Sequence, residues 1–228
     1  MHAQARRGVD FYDASVFLWL DVDSELRERT KGRASLDDFM ARFYAGPSGK
    51  PMLKPYAEQD VYDTLAAIAP GDWRPVLRRH LDVTGTSALM ASLERAGWKL
   101  TYSVEKNSWV EIQQNVFKMT DREWSIGLLL DEKGLIVDAT EHRAAAQAGA
   151  GPGMTVVAVN GRKFSVEVLD AAIAEAQQSG KPIDLLVETN DFFRALSVAY
   201  FDGPRFPHLT RVGGRPDTLT LVLKSRTL

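Results

Sequence analysis

The chain has 228 residues, of which 45% are hydrophobic and 25% charged, with a formal net charge of −2 and a sequence pI of about 6.1. This length favours one large or two ordinary domains. The near-neutral charge provides no electrostatic footprint for nucleic acid or for an anionic membrane surface, so we expect neither as a partner. The absence of cysteine excludes disulfides and thiolate metal sites, but it leaves the bacterial cytoplasm and the periplasm equally open.

The N-terminus has no targeting signal in its composition. It reads MHAQARRGVDFYD, with two arginines but no apolar h-region, and no run reaches the ~18 apolar residues of a membrane helix. Helical patterning begins almost at once, at Phe11. We therefore expect the chain to be a piece of a longer protein, expressed as such or made from a truncated gene.

The first hundred residues have the pattern of five helices. They are predicted over residues 11–30, from Ser35 through residue 44, over 58–69, after Asp72, and over 87–96. Ser35 stands three residues before a carboxylate, as in a capping box. The first half of the first helix is apolar on nearly all sides, which predicts that it is buried.

From Trp98 the period changes to the alternation of strands. Strands are predicted over residues 98–104, 124–130, 134–139, 154–159, 183–188 and 193–200, with a short helix at 143–148 and a longer one at 165–178. The predicted fold class is therefore α+β in two domains. A helical domain covers 1–104, an irregular strand or connector 105–121, a small, partly open β-barrel with two helices 122–202, and an extended tail 203–228.

Residues 143–161 read R-A-A-A-Q-A-G-A-G-P-G-M-T-V-V-A-V-N-G, and this order of helical turn, glycine turn, strand and Asn-Gly resembles the middle of a PDZ domain. The resemblance implies that an extended peptide binds as an added strand, with its terminal carboxylate held by main-chain amides of a glycine-containing loop. Ser125-Ile126-Gly127-Leu128 matches the position of that loop.

The resemblance also implies which residues contact the peptide. Ile126, Gly127 and Leu128 would form the loop side of the groove, and Val168 and Ala172 match the groove-facing positions of the helix. The expected partner is a peptide or protein C-terminus. An alternative remains open, in which these apolar residues only complete a small core.

The first half resembles a second family. The segment from Gly8 to Tyr44, together with A-P-G-D-W at 69–73 and L-E-R-A-G-W at 93–98, resembles the C-terminal helical part of the glycyl-aminopeptidase family of zinc metallopeptidases. That family joins a thermolysin-like catalytic domain to a C-terminal PDZ domain, and the order here agrees. The resemblance implies an upstream H-E-x-x-H helix and a zinc ion in the full-length parent.

This chain carries no such zinc motif, because none of its four histidines has a partner at i+4. We therefore expect no metal ligands and no cofactor in the chain itself. His80 follows Arg78 and Arg79 near a predicted helix end, where we expect it to be solvated or to face the helix dipole.

Tyr12 is the catalytic candidate. In the family, a tyrosine in a Y-x-x-G setting at the start of this helix is placed to hydrogen-bond the developing oxyanion. The setting here is Tyr12-Asp13-Ala14-Ser15, in which the charged residue and the glycine of the family pattern are replaced. The alternative is that the Tyr12 hydroxyl anchors the start of the helix.

Two functions follow as hypotheses. The first is the C-terminal part of a zinc aminopeptidase that removes N-terminal residues, with small residues such as Gly preferred by family resemblance. This part alone would be inactive, and its missing partner would be the N-terminal catalytic portion. The second is a non-catalytic PDZ scaffold protein with a helical docking domain. The apolar first helix counts against the second hypothesis, because residues that are apolar on nearly all sides are expected to be covered by missing structure. Expressed alone, the chain would cover this surface by self-association.

Overall fold

The computed structural model describes residues 10–46, 49, 53–83 and 85–224. The chain divides into two units, one formed by Met1–Leu100 with Leu209–Leu228 and the other by Thr101–His208. The boundaries fall inside the strands β1 (Trp98–Ser103) and β9 (Phe206–Arg211), which pair in a two-stranded sheet. In the described residues, no helix combines the length and the apolar character needed to cross a membrane.

The first unit contains the five predicted helices. These are α1 (Asp10–Thr30), α2 (Leu36–Phe43), α3 (Glu58–Ile68), α4 (Arg74–Leu81) and α5 (Ser87–Arg95). The capping box at Ser35 is confirmed, because its backbone N–H donates to Asp38 Oδ2 at 2.8 Å and its side chain accepts from the start of α2. A cap of this kind satisfies amides that the first turn of a helix leaves unpaired.

The core of this unit lies between α1 and the helices that follow it. It comprises Leu18, Val22, Leu26, Phe39, Tyr62, Leu65, Ala69, Trp73, Val76 and Leu77. The expected burial of the start of α1 is wrong for the described residues, because its core contacts begin only at Leu18. Phe11, Tyr12 and Val16 are 59%, 64% and 64% exposed.

A buried charge cluster joins three of these helices. Asp21 of α1 is only 2% exposed. Its Oδ1 lies 2.9 Å from Arg95 Nε, in an ion pair without hydrogen-bond geometry, and its Oδ2 lies 3.2 Å from Arg79 Nε and 3.0 Å from His80 Nε2. One carboxylate of α1 thus compensates cations from both α4 and α5.

The second unit is built from short strands and three helices. Its elements are α6 (Ser108–Asn115), β2 (Met119–Arg122), β3 (Leu128–Asp131), β4 (Ile136–Ala139), α7 (Ala144–Gln147), β5 (Thr155–Val159), β6 (Arg162–Lys163), α8 (Val166–Ser179), β7 (Ile183–Thr189) and β8 (Phe192–Val198). The strands form two antiparallel sheets, ordered β2-β3-β4 and β6-β5-β7-β8. No closed barrel forms in the described residues, and the two sheets meet where Leu135 bridges Thr155 and Ile136 N donates to Met154 O at 2.7 Å.

The turn chemistry around β5 is as expected. Gly149 follows α7 with a φ of +97°, and Asn160 and Gly161 have φ of +47° and +74°. Both residues of the Asn-Gly turn therefore adopt the left-handed region that a type I′ hairpin requires. Gly134 also has a positive φ of +88°, and a Cβ there would meet Val156 O at 2.5 Å.

Three predicted segments differ from the structure. The connector 105–121 contains α6, whose start is capped by Asn107 Oδ1 accepting from Val110 N at 2.9 Å. The extended tail contains β9 and α9 (Thr218–Leu223), with Asp217 as its cap. Residues 124–127, predicted as the start of a strand, form a turn and a bend before β3. In each case a local hydrogen bond or a turn decides the structure, and the hydrophobic period does not detect it.

We expect Asp21→Asn to destabilise the helical unit by about 2 kcal/mol, because it leaves partly buried cations without their anion. The free energy of unfolding from urea titrations measures this. Asp82→Asn is the control, since that carboxylate is 57% exposed and pairs with Arg78 in an exposed i,i+4 bridge. Equal losses in the two variants would contradict a special role for Asp21.

Candidate functional site

Tyr12 lies in the first turns of α1 with an accessible ring. Its ring centroid is 4.3 Å from that of Phe11, and Ser15 Oγ donates to Tyr12 O at 2.7 Å. The hydroxyl of Ser15 is therefore used within the helix, at the position where the family pattern has glycine. The Tyr12 side chain is 64% exposed to solvent among the described residues, as the side chain of an oxyanion donor would have to be before its partner structure is added.

An open cavity of about 960 Å³ lies next to this helix start. Phe11, Asp13 and Ser15 line it on the α1 side, and His80 and Thr86 are among the residues on the opposite side. Its walls are mainly apolar, with these few polar groups between them. Cavities of this size and composition can hold a small ligand or a protein side chain.

Of the two positions expected for His80, the solvated one is wrong, because its side chain is only 3% exposed; it does lie in the last turn of α4. Its Nε2 lies 3.0 Å from Asp21 Oδ2 and 3.2 Å from Ser92 Oγ. A Ser-His-Asp triad needs the carboxylate and the hydroxyl on different ring nitrogens. Here both are at Nε2, and Ser92 Oγ also donates to Ala88 O. The cluster therefore has the geometry of a buried structural network and not of a nucleophile.

The described residues do not fit a zinc site. Among them, no three His, Asp, Glu or Cys side chains gather closely enough to hold a metal ion. A catalytic zinc needs three protein ligands. Any such ligands would have to come from outside the described part of the chain.

The five candidate peptide-binding residues come together around the core of the second unit. Ile126, Leu128 and Ala172 are buried in that core, and Val168 packs against it half-buried. The core also contains Leu130, Ile136, Ala145, Ala150, Val156, Val159, Leu169, Ile173, Ala176, Ile183, Leu185, Val187, Leu196, Val198 and Tyr200. This placement favours the alternative that Ile126, Leu128 and Ala172 act in packing.

Gly127 is constrained by its neighbour. It has a φ of +87°, and a Cβ at this position would lie 2.2 Å from Arg143 Cβ. Only glycine fits this conformation and this approach without displacing α7's first residues. The glycine of the loop is thus required by geometry, whatever the loop binds.

Two amides of this loop already have an acceptor. Ser125 N and Gly127 N both donate to Arg122 O, at 3.2 and 3.0 Å. Arg122 is the last residue of β2, which pairs antiparallel with β3 in a register from Met119↔Asp131 to Arg122↔Leu128. The opposite edge of β3 pairs with β4. Both edges of β3 are therefore occupied by strands of this chain.

The side chain of Arg122 connects β2 to α8. It is 1% exposed, and its Nε and Nη2 donate to the two carboxylate oxygens of Asp170 at 2.6 and 2.8 Å. Lys106 Nζ lies 3.1 Å from Asp170 Oδ2. Burial opposes ionisation of Asp170, but the hydrogen bond and charge of Arg122, reinforced by Lys106, outweigh it and lower the pKa of the carboxyl.

Sequence reasoning missed Arg122 and Asp170. Little in the sequence indicated them, because each is a single charged residue in a segment that was assigned from the spacing of its apolar residues. Asp170 directly follows the core residue Leu169 on α8. A carboxylate near the buried face of a helix is rarely found without a paired cation. Two further arginines stack at the loop, with Arg205 4.3 Å from the Tyr102 ring and Arg143 5.9 Å from the Trp124 ring.

The pairing of Asp170 predicts a pH dependence of stability. Because its pKa is lowered on folding, its contribution is present above the ordinary value of 3.8 and is lost as the pH falls through the folded-state value. We expect Asp170→Asn to lower the free energy of unfolding by about 2 kcal/mol at pH 7. In strong acid the difference in this free energy between the variant and wild type should become smaller.

Urea titrations of both proteins at pH 7 and pH 2.5 (about one unit below the ordinary value) measure the two gaps. Asp202→Asn is the matched control, since that side chain is 71% exposed and 4.0 Å from its cation, and it should change little at either pH. A gap for Asp170→Asn that is the same at both pH values would contradict the ionic role of the carboxylate.

No family model matches the sequence, and no curated protein does either. Among solved structures, the HtrA3 PDZ domain, solved with a phage-derived ligand, matches 52% of this chain and 95% of its own at 16% identity. Its TM-score of 0.24 is too low to support an inference.

An aminopeptidase N family protein from Idiomarina loihiensis is similar over 94% of this chain, with a TM-score of 0.64 and 16% identity. The similarity covers 36% of that protein, so this chain spans about a third of its length. At this identity the comparison concerns the fold. The chain therefore has an α+β fold like that of part of an aminopeptidase N family protein.

Proposed function

We propose that this chain is the C-terminal part of a zinc-dependent aminopeptidase that removes N-terminal residues from peptides. Small residues such as Gly are the proposed preference, and the second unit is proposed to act as a PDZ domain that binds peptide or protein termini. The catalytic zinc and its ligands would belong to the N-terminal portion of the parent protein.

The observation that carries this proposal is the fold comparison. It extends over 94% of this chain, which includes both units, and it leaves almost two thirds of the aminopeptidase N family protein without a counterpart here. The described residues lack a metal cluster, so hydrolysis would need the remaining portion. The resemblance of the segment around Tyr12 to the glycyl-aminopeptidase family supports the same assignment.

Tyr12 is the residue of this chain that we propose to act in the reaction. Its exposed phenol would donate a hydrogen bond to the oxyanion that forms when water attacks the scissile carbonyl. Ser15 retains a small side chain at the position of the family's glycine, so it permits a close approach of substrate. In place of a charged neighbour, Ala14 provides no charge to orient the substrate.

The first experiment is to sequence the DNA upstream of the Met1 codon. An in-frame H-E-x-x-H followed by a downstream glutamate supports the peptidase, because these residues would supply the zinc ligands and the base. A stop codon directly before Met1, or an unrelated reading frame, would contradict it.

In the full-length enzyme, we expect Tyr12→Phe to lower kcat about 100-fold with little change in KM, because the lost hydrogen bond forms only in the transition state. Hydrolysis of a glycyl p-nitroanilide measures both constants. Tyr44→Phe is the control, since Tyr44 is also 64% exposed but follows α2. Unchanged kinetics of Tyr12→Phe would leave Tyr12 without a catalytic role.

The second candidate function is a non-catalytic peptide-binding scaffold with a helical docking domain. It is compatible with the exposed start of α1, since Phe11, Tyr12 and Val16 offer an apolar surface that another protein could cover. In the aminopeptidase, the same surface would be covered by the N-terminal portion. The two candidates therefore differ in whether hydrolysis appears in the longer protein.

Expressed alone, the chain is expected to self-associate through this surface. Val16→Asp should shift sedimentation toward the monomer, because association would then bury a charge. Leu53→Asp is the control, since this loop residue is 95% exposed and lies outside α1. A well-folded monomer at all concentrations would count against the exposed start of α1 as a docking surface.

A further inference from the structure

The strand β2 occupies the position that an added peptide strand would take beside β3. Peptides that extend a sheet pair with a free edge strand and direct alternate side chains into pockets. β3 has β4 on one edge, so its other edge is the only one that such a peptide could use. That edge pairs with β2 over four residues, from Met119↔Asp131 to Arg122↔Leu128.

The end of β2 also resembles the end of a bound peptide. A terminal carboxylate in this mode accepts hydrogen bonds from amides of the glycine-containing loop. In this chain Arg122 O accepts from Ser125 N and Gly127 N, at 3.2 and 3.0 Å. The carbonyl of Arg122 thus holds the place of one carboxylate oxygen.

A charged contact fixes the strand against the helix side of the groove. Thr120 and Arg122 are the buried residues of β2. The guanidinium of Arg122 binds both oxygens of Asp170, the fifth residue of α8, and the Asp170 side chain is 30% exposed. A buried arginine without this anion would be strongly unfavourable, so the pair holds β2 in one register.

We propose that β2 is an internal ligand of the groove between β3 and α8, and that this groove accepts an extended peptide with a basic residue opposite Asp170 when β2 leaves β3. This inference rests on the proposed peptide-binding function of the second unit. Asp170 would make the groove selective for a basic residue of the peptide, because its carboxylate forms a bidentate pair with arginine that an acidic or neutral residue cannot form.

The chain itself provides the probe for a test. A fluorescein-labelled peptide, FKMTDR, repeats residues 117–122 and ends in a free carboxylate. Fluorescence anisotropy would compare its affinity for wild type and for Arg122→Ala. This variant removes the ion pair between Arg122 and Asp170 but leaves Lys106 beside Asp170. We expect Arg122→Ala to bind at least about tenfold more tightly than wild type, since a charged hydrogen bond no longer holds β2.

Matched controls separate this effect from nonspecific binding. Arg162→Ala removes an exposed arginine on β6 and should bind like wild type. The peptide FKMTDE, with glutamate at its end, should bind Arg122→Ala much more weakly than FKMTDR. If circular dichroism shows that Arg122→Ala is unfolded, Arg122→Gln carries the same comparison with a side chain of similar length.

A reversible disulfide between β2 and β3, called the lock below, provides the second test. Asp121 and Leu129 are partners across β2 and β3. Directly opposed residues of antiparallel strands have Cα atoms about 4.5–5.5 Å apart, which is within the range of disulfides. The chain has no cysteine, so Asp121→Cys with Leu129→Cys creates a single pair. In the Arg122→Ala background, we expect oxidation to abolish probe binding and reduction to restore it.

The outcomes distinguish the two levels of the proposal. Equal binding by wild type, Arg122→Ala and the oxidised lock would overturn the internal-ligand inference and leave peptide binding by the second unit intact. No binding by any folded variant, including the reduced lock, would overturn both the inference and the peptide-binding part of the proposed function. The aminopeptidase assignment would still be decided by the Tyr12 kinetics.

Discussion

The position of β2 in the second unit depends on the ion pair between Arg122 and Asp170. A guanidinium that is 1% exposed requires a compensating anion, and α8 supplies it through two hydrogen bonds. This requirement fixes the register of β2 on β3. It also fixes the loop after β2, because Arg122 O accepts from two amides of that loop. The charged contact and the turn over residues 123–127 together hold β2 beside β3.

The helical unit also contains a buried charge that needs compensation, in this case a carboxylate. Asp21 lies on the buried side of α1 and gathers cations from α4 and α5, so the position of each helix depends on the same carboxylate. Apolar contacts among the core residues provide most of the attraction between these helices, but they permit several packings of similar energy. A buried charge with specific partners reduces those alternatives at a cost in desolvation.

The sequence predicted the regular elements better than the site. The five helices, the capping box at Ser35 and the Asn160-Gly161 turn follow from local signals, since periodicity, caps and positive φ are properties of neighbouring residues. Arg122 and Asp170 are 48 positions apart, and nothing local indicates that they meet. Likewise, α6 was missed because its cap at Asn107 stands in a polar stretch. The resemblance to PDZ domains did not predict that β2 pairs with β3 beside the glycine-containing loop.

The pairing of β1 with β9 has a consequence for how the chain is assembled. Residues 101–208 are inserted between two parts of the helical unit, and they enter and leave it through adjacent strands. The returning segment is integral to that unit, since Trp98 Nε1 donates to Asp217 Oδ1 at 2.8 Å. The second unit is therefore an inserted segment whose two ends lie on the paired strands β1 and β9. Joining a different module at Leu100 and Leu209 would therefore replace the second unit without interrupting the five helices of the first.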